Sequence, residues 1–233
     1  MNNGNPTLPE TGGTGDVLPN MIGRRKFLSY VGLAASAVTV VACSKDKNDV
    51  PEGAINLGSG DIGILNYAYA LEQLEAAFYT QVIASPYSGM SATEQALLTD
   101  IRDHEIAHRN FFKTVLSGNA IPGLEVNFSA INFGTRDSVL ATAKAFEDLG
   151  VAAYNGAGQL ITSADNLVLA GKIVSVEARH AALIRDLISN GSFADNTVVD
   201  ANGLDVSKSP AEVLGVAKAY LKSVLYAGNL PTS

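Results

Sequence analysis

Between residues 62 and 189, apolar side chains recur at intervals of three and four in four separate stretches. That interval matches the 3.6-residue period of an α-helix and gathers the apolar positions onto one stripe of each stretch. The first, Ile62 to Ile83, carries Leu65, Tyr69, Glu72, Ala76, Tyr79 and Ile83 on its stripe. The second, Ser91 to Leu116, carries Leu97, Ile101, Glu105, His108, Phe112 and Val115. The third, Arg136 to Ile161, carries Leu140, Ala143, Glu147, Gly150, Tyr154, Ala157 and Ile161. The fourth, Ser163 to Ser189, carries Ala170, Ile173, Glu177, His180, Ile184 and Leu187. At the centre of every stripe a Glu, or a Glu and a His, stands where Leu or Ile is expected.

The connections set the order of these helices. A Pro/Gly-containing turn from Ser85 to Met90 joins the first two, and a turn near Thr162 joins the last two, so each pair is expected to form an antiparallel hairpin. Gly118 to Thr135 is long enough to run the height of a bundle and bring the second and third helices parallel. One long crossover distinguishes this layout from a simple up-and-down bundle. Ser91 with Glu94, and Ser209 with Glu212, have capping-box spacing. The second of these, with Pro210 in the first turn, opens a short fifth helix expected to run to about Tyr226. The predicted fold is therefore an all-α four-helix bundle, residues 61–190, with a long crossover and a C-terminal extension, residues 191–233, holding the short helix.

Two internal repeats place the chemistry. Residues 70–79 (ALEQLEAAFY) echo residues 145–154 (AFEDLGVAAY), each with a Glu seven positions before a Tyr. Residues 105–108 and 177–180 are both Glu-x-x-His. In chain order this reads Glu, Glu-x-x-His, Glu, Glu-x-x-His, the donor set of a dinuclear metal site inside a bundle. Residues three apart on a helix are neighbours, so each tetrad can turn two donors to one point. Four carboxylates inside a bundle repel one another and lose hydration; two divalent cations would cancel their charge. Mixed Glu/His donors without thiolate suit two iron or manganese ions. The repeat aligns Glu72 with Glu147 and Glu75 with Gly150, so Glu72 is preferred as the ligand and Glu75 is read as a supporting or surface residue. Tyr79 and Tyr154 are candidates to orient the ligands by hydrogen bonding. His104, Asp103, Asp148 and Arg179 fall outside the motif and read as surface or supporting groups.

Composition narrows the partners. The 233-residue chain has a net charge of −7, and it lacks both a basic stripe and a Gly-rich phosphate loop ending in Lys-Ser or Lys-Thr. Nucleic acid is not an expected partner. Near the start, Arg24-Arg25-Lys26-Phe27-Leu28 leads into a weakly apolar run to Ala42, too short to span a bilayer and similar to a twin-arginine export signal. The run stops at Cys43, the only cysteine, where a lipobox would place the lipidated residue. Residues 1–42 are thus read as a signal peptide and 43–60 as a flexible tether. The membrane is reached through the lipid alone, and the location is the bacterial cell envelope, on the periplasmic face or the cell surface. Leu8-Pro9-Glu10-Thr11-Gly12 matches a sortase pentapeptide but lies at the wrong end of the chain for one.

Taken together, Leu71 to Tyr79, Phe146 to Tyr154 and Val176 to Ala182 resemble the ferritin-like superfamily, and more closely the bacterial ferritin-like domain family that includes desiccation-related proteins. The resemblance covers about Asp61 to Ser189. It implies a carboxylate-bridged di-iron or di-manganese centre at Glu72, Glu105, His108, Glu147, Glu177 and His180. It also implies dioxygen or peroxide as small-molecule substrate, in a ferroxidase or peroxide-detoxifying reaction serving stress protection, without fixing which. The alternative is a non-catalytic, metal-stabilised lipoprotein acting as a structural or binding module. A homodimer is an assembly the bundle allows, whereas a closed iron-storing cage fits poorly with a lipid anchor.

Overall fold

The protein's structure is a computed structural model that describes residues 50–233. The signal peptide read at 1–42, Cys43 and the first part of the tether lie outside the described residues. Four long helices dominate: α1, Gly60–Ala84; α2, Ala92–Leu116; α3, Arg136–Gly158; and α4, Ala164–Ile188. A fifth, α5, covers Pro210–Ala217, and two short strands, β1 at Ile55–Asn56 and β2 at Leu225–Tyr226, pair in parallel. Among the described residues, no helix is long and apolar enough to cross a membrane.

Side-chain caps account for three of the helix starts. Ser91, Ser163 and Ser209 each accept a hydrogen bond from the backbone N–H three residues on, satisfying a donor that the first turn leaves orphaned. Only Ser209 completes a capping box, with Glu212 reaching back to its N–H. At Ser91 the box is half made, because the Glu94 carboxylate is drawn instead to Arg136 at 2.6 Å.

Named contacts fix the helix directions. α1 packs along α2 and α3 along α4 as antiparallel hairpins. Tyr79 near the end of α1 bonds Glu147 at the middle of α3, and Tyr154 near the end of α3 bonds Glu72 at the middle of α1, the reciprocal offset that only opposed directions allow. α1 and α3 are therefore antiparallel. It follows that α2 and α3 run parallel, and the ion pair between Glu94 and Arg136, at their two N-terminal ends, agrees. This is the ferritin-like all-α arrangement, with its long crossover from 120 to 135.

That crossover is held along its first half. The buried Asn66 of α1 donates to Leu57 O (3.1 Å) and Asn119 O (2.9 Å), and accepts from Ile121 N–H (2.9 Å). Gln73 accepts from Leu124 N–H at 2.9 Å. Further along, Asn127 N–H donates to Tyr220 O and Lys222 N–H to Glu125 O.

Three expectations need correction. The fifth helix stops at Ala217, well short of Tyr226; after a 3-10 turn the chain is captured as strand by β1 and by an antiparallel bridge between Val126 and Leu221. The expected tether is correspondingly shorter, since Ile55–Asn56 is strand and Leu57 is fully buried. The apolar stripes also shift. On α2 the buried residues are Leu98 and Leu116 rather than Leu97 and Val115, because two full turns on either side of the Glu105/His108 pair bring those positions to the same face. α1 has no single stripe: from Gly63 to Ala76 every residue is buried. Helices, crossover and C-terminal segment cover it on all sides.

The C-terminal segment is anchored to α3 and α4. Arg185 is buried and grips Asp148 with two hydrogen bonds (2.8 and 2.7 Å), reaching Asp195 and Thr197 as well. Farther along, a Cβ on Gly156 would lie 1.8 Å from Lys208 O. Only glycine lets that backbone lie against α3, where Lys208 N–H donates to Ala152 O at 3.0 Å.

Candidate metal centre

The polar centres of the four stripes meet in one place, and Glu72, Glu105, Glu147 and Glu177 are all fully buried there. One donor atom from each of Glu72, Glu105, His108 and Glu177 lies within 4.8 Å of the others. The same holds for Glu105, Glu147, Glu177 and His180. The structure thus brings together all six residues singled out from the sequence. Glu105 and Glu177 belong to both groups, while Glu72 with His108 and Glu147 with His180 belong to one each.

Each histidine turns Nδ1 inward. His108 Nδ1 lies 2.8 Å from Glu177 Oε1, 3.4 Å from Glu72 Oε2 and 3.8 Å from Glu105 Oε2. His180 Nδ1 lies 2.8 Å from Glu105 Oε1, 3.5 Å from Glu147 Oε2 and 3.7 Å from Glu177 Oε2. The two tyrosines support opposite glutamates across the bundle. Tyr79 donates to Glu147 Oε1 at 2.5 Å, and Tyr154 donates to Glu72 Oε1. In both cases the hydroxyl occupies one carboxylate oxygen and leaves Oε2 facing the cluster. Burial, and then the charge of the glutamate each one faces, push both phenols well above their ordinary range, so they stay protonated as donors.

Eight inward-facing atoms are left without a directed hydrogen bond: Oε2 of Glu72 and Glu147, both oxygens of Glu105 and Glu177, and Nδ1 of both histidines. Buried polar atoms are ordinarily paired. Here six oxygens and two imidazole nitrogens converge with nothing directed between them, which is the environment a cation fills. The buried Glu/His cluster could hold metal ions.

Protons otherwise carry the compensating charge. Burial alone would lower the histidines, but the surrounding carboxylates outweigh it and push His108 and His180 up to about 12. Burial would likewise raise Glu105, yet the two positively charged imidazoles beside it outweigh burial and bring it down to about 2. Glu147 is raised to about 8, chiefly by burial, and Glu72 is raised by burial and then by the charge of Glu177. Without metal, the raised imidazoles and glutamates hold the protons that offset the remaining carboxylate charge.

For two neighbours the structure decides between the supporting and surface places that the sequence left open. Glu75 is no surface residue: it is buried, and burial followed by the four surrounding glutamates raises it well above the carboxylate range. It stands outside both donor groups. Its room comes from Gly150, where a Cβ would lie 3.1 Å from Glu75 Oε1 and 3.8 Å from Glu177 Oε2. The glycine that occupies Glu75's place in the repeat is what admits it. His104, exposed on α2, sets its Nδ1 2.9 Å from His180 Nε2, the rings stacked at 15°. Its position directly before Glu105 was visible in the sequence, but its partner lies on another helix.

A four-helix bundle whose interior gathers buried glutamates and histidines able to hold metal ions defines a class of metal-binding helical protein. Within that class, the family description "ferritin-like domain" matches residues 60–190, more than half of the chain, and the protein belongs to that family. No curated protein matches the chain.

Proposed function

We propose that the protein holds two iron or manganese ions at Glu72, Glu105, His108, Glu147, Glu177 and His180, and uses them to react with dioxygen or peroxide at the cell envelope. The observation that carries this reading is the convergence of eight buried donor atoms that no proton-directed bond satisfies. Glu105 and Glu177, with both oxygens free, would span the two ions, while Glu72 and Glu147 would each serve one. Bound there, the pair would supply one electron from each ion to the oxidant.

The chain's own residues prepare that chemistry. Tyr79 and Tyr154 fix the glutamates that serve one ion each, so those carboxylates present a single oxygen in a set direction. Tyr67, Phe78, Ile101 and Leu140 are almost wholly buried around the bundle interior and exclude water from it. The carboxylates are the natural acceptors and donors of protons as charge changes at the site, since Glu72 and Glu147 already hold protons more tightly than ordinary glutamates. The twin-arginine-like leader and Cys43 support an exported, lipid-anchored location, which fits a protective role against oxidants.

The test is anaerobic loading of the purified chain with ferrous or manganous ion, elemental analysis, and then exposure to air or hydrogen peroxide. Two ions per chain, and oxidant consumption lost in Glu105→Ala and His180→Ala with the helical signal intact, is the expected outcome. Fewer than about one ion per chain would remove the proposal. Two ions without oxidant consumption would leave a metal-stabilised structural protein.

A further inference from the structure

The two halves of the centre are not supported alike. The repeat that aligns Glu105 with Glu177 also aligns His104 with Val176. On one side, His104 Nδ1 meets Nε2 of His180 at 2.9 Å. On the other, the corresponding residue is a valine that can form no such bond, and no described residue bonds the outer nitrogen of His108. Exposure follows the same division, with the His108 side chain 13% exposed and that of His180 5%.

The direction of the bond between the histidines follows from chemistry. Whether His180 is an imidazolium or a ligand through Nδ1, its Nε2 carries hydrogen. It therefore donates, and His104 accepts at Nδ1 and turns its own N–H to solvent. The partner thus holds His180 in the tautomer and ring orientation that a metal at Nδ1 requires, before any metal arrives. Partners of this kind behind a metal-bound imidazole typically carry about 10–100-fold in affinity. His108 has to settle its tautomer and orientation on binding.

We infer that His104 makes the two metal positions unequal: the position at His180 and Glu147 fills first and retains its ion, while the position at His108 and Glu72 is the exchangeable one. This rests on the reading of the site as a two-metal centre. His104 is a positioning residue in this scheme, acting through His180.

The test is titration of the metal-free full chain with cobalt(II), followed by its visible absorption and by competition with a chelator. The expected result is two binding steps separated by about 10–100-fold. Glu147→Ala should remove the tight step and Glu72→Ala the weak one. His104→Ala should weaken the tight step by about the same 10–100-fold and change its cobalt spectrum. In His104→Asn, an amide oxygen takes the place of Nδ1 and should restore most of the loss, which a purely structural role would not do. Metal-free melting curves of the chain and both His104 variants should coincide. Two equal steps, an unchanged gap in His104→Ala, or loss of the wrong step in Glu147→Ala would overturn this inference and leave the metal centre standing. A chain that binds no cobalt would overturn both.

Discussion

Sharing of Glu105 and Glu177 between two donor groups makes a graded prediction about stability. Each ion bound to the folded chain alone adds RT ln(1 + [M]/Kd), about 2.7 kcal/mol at free metal 100-fold above Kd. At 100-fold above the weaker constant, two ions therefore add at least about 5 kcal/mol. In a chain of this size 1 kcal/mol moves the melting temperature by about 2–4 °C. Manganese(II) should accordingly raise the Tm of the native chain by about 10–20 °C over its chelator-treated form. Glu72→Ala and Glu147→Ala each delete a donor from one group, and should keep a metal-dependent rise of at least about 5–10 °C, the larger in Glu72→Ala. Glu105→Ala and Glu177→Ala remove a donor from both groups and should keep almost none. Circular dichroism melts of each variant with metal, compared with its own metal-free melt, cancel the effect of the substitution on the empty fold. A native Tm that manganese leaves unmoved, or a rise lost as fully in Glu147→Ala as in Glu105→Ala, would refute the sharing of Glu105 and Glu177 between two metal positions.

The remaining predictions concern protons and packing. At pH 7 the metal-free site holds protons on His108 and His180, both raised to about 12, and on Glu147, raised to about 8. Metal binding should thus release at least two protons per chain, and affinity should climb with pH; calorimetry in buffers of different ionisation enthalpy reads the count, and zero release contradicts it. Because the folded chain binds the Glu147 proton and the imidazole protons more tightly than the unfolded chain, metal-free stability should begin to fall as pH rises above about 4.5 toward the Glu147 value of about 8, and fall further from about 6.5 toward about 12 as the imidazoles lose theirs. Gly156→Ala forces Lys208 O away from α3 and should cost about 1–3 kcal/mol in urea unfolding, with an unchanged midpoint arguing against that close approach. Asn66→Ala strands the Ile121 N–H and the Leu57 and Asn119 carbonyls. A loss of about 3 kcal/mol is expected, with faster hydrogen exchange in the crossover; exchange unaltered there would mean that Asn66 does not hold it.

What could be read from the chain was whatever repeats locally. Helix spacing, the capping serines and the doubled Glu and Glu-x-x-His pattern all lie within a few residues of one another. They led to four helices and to the six residues that now meet around the cluster. Features that depend on distant segments were hidden. α5 ends early because β1, more than 150 residues upstream, pairs with what would have been its continuation. α1 is buried on every side because the crossover and the C-terminal segment, neither of them periodic, close over it. Glu75 and His104 show the same limit inside the site. The repeat marked Glu75 as a position without a counterpart, facing Gly150, and left His104 outside the motif. It could not say that the missing side chain at 150 is the space that Glu75 fills, or that His104 reaches across to the other tetrad's histidine. The repeat builds a near-symmetric cage, and a symmetric cage would treat its two metal positions alike. The departures from symmetry concentrate around that cage, so the chemistry particular to this chain should be sought in Glu75 and His104 as well as in the six donors.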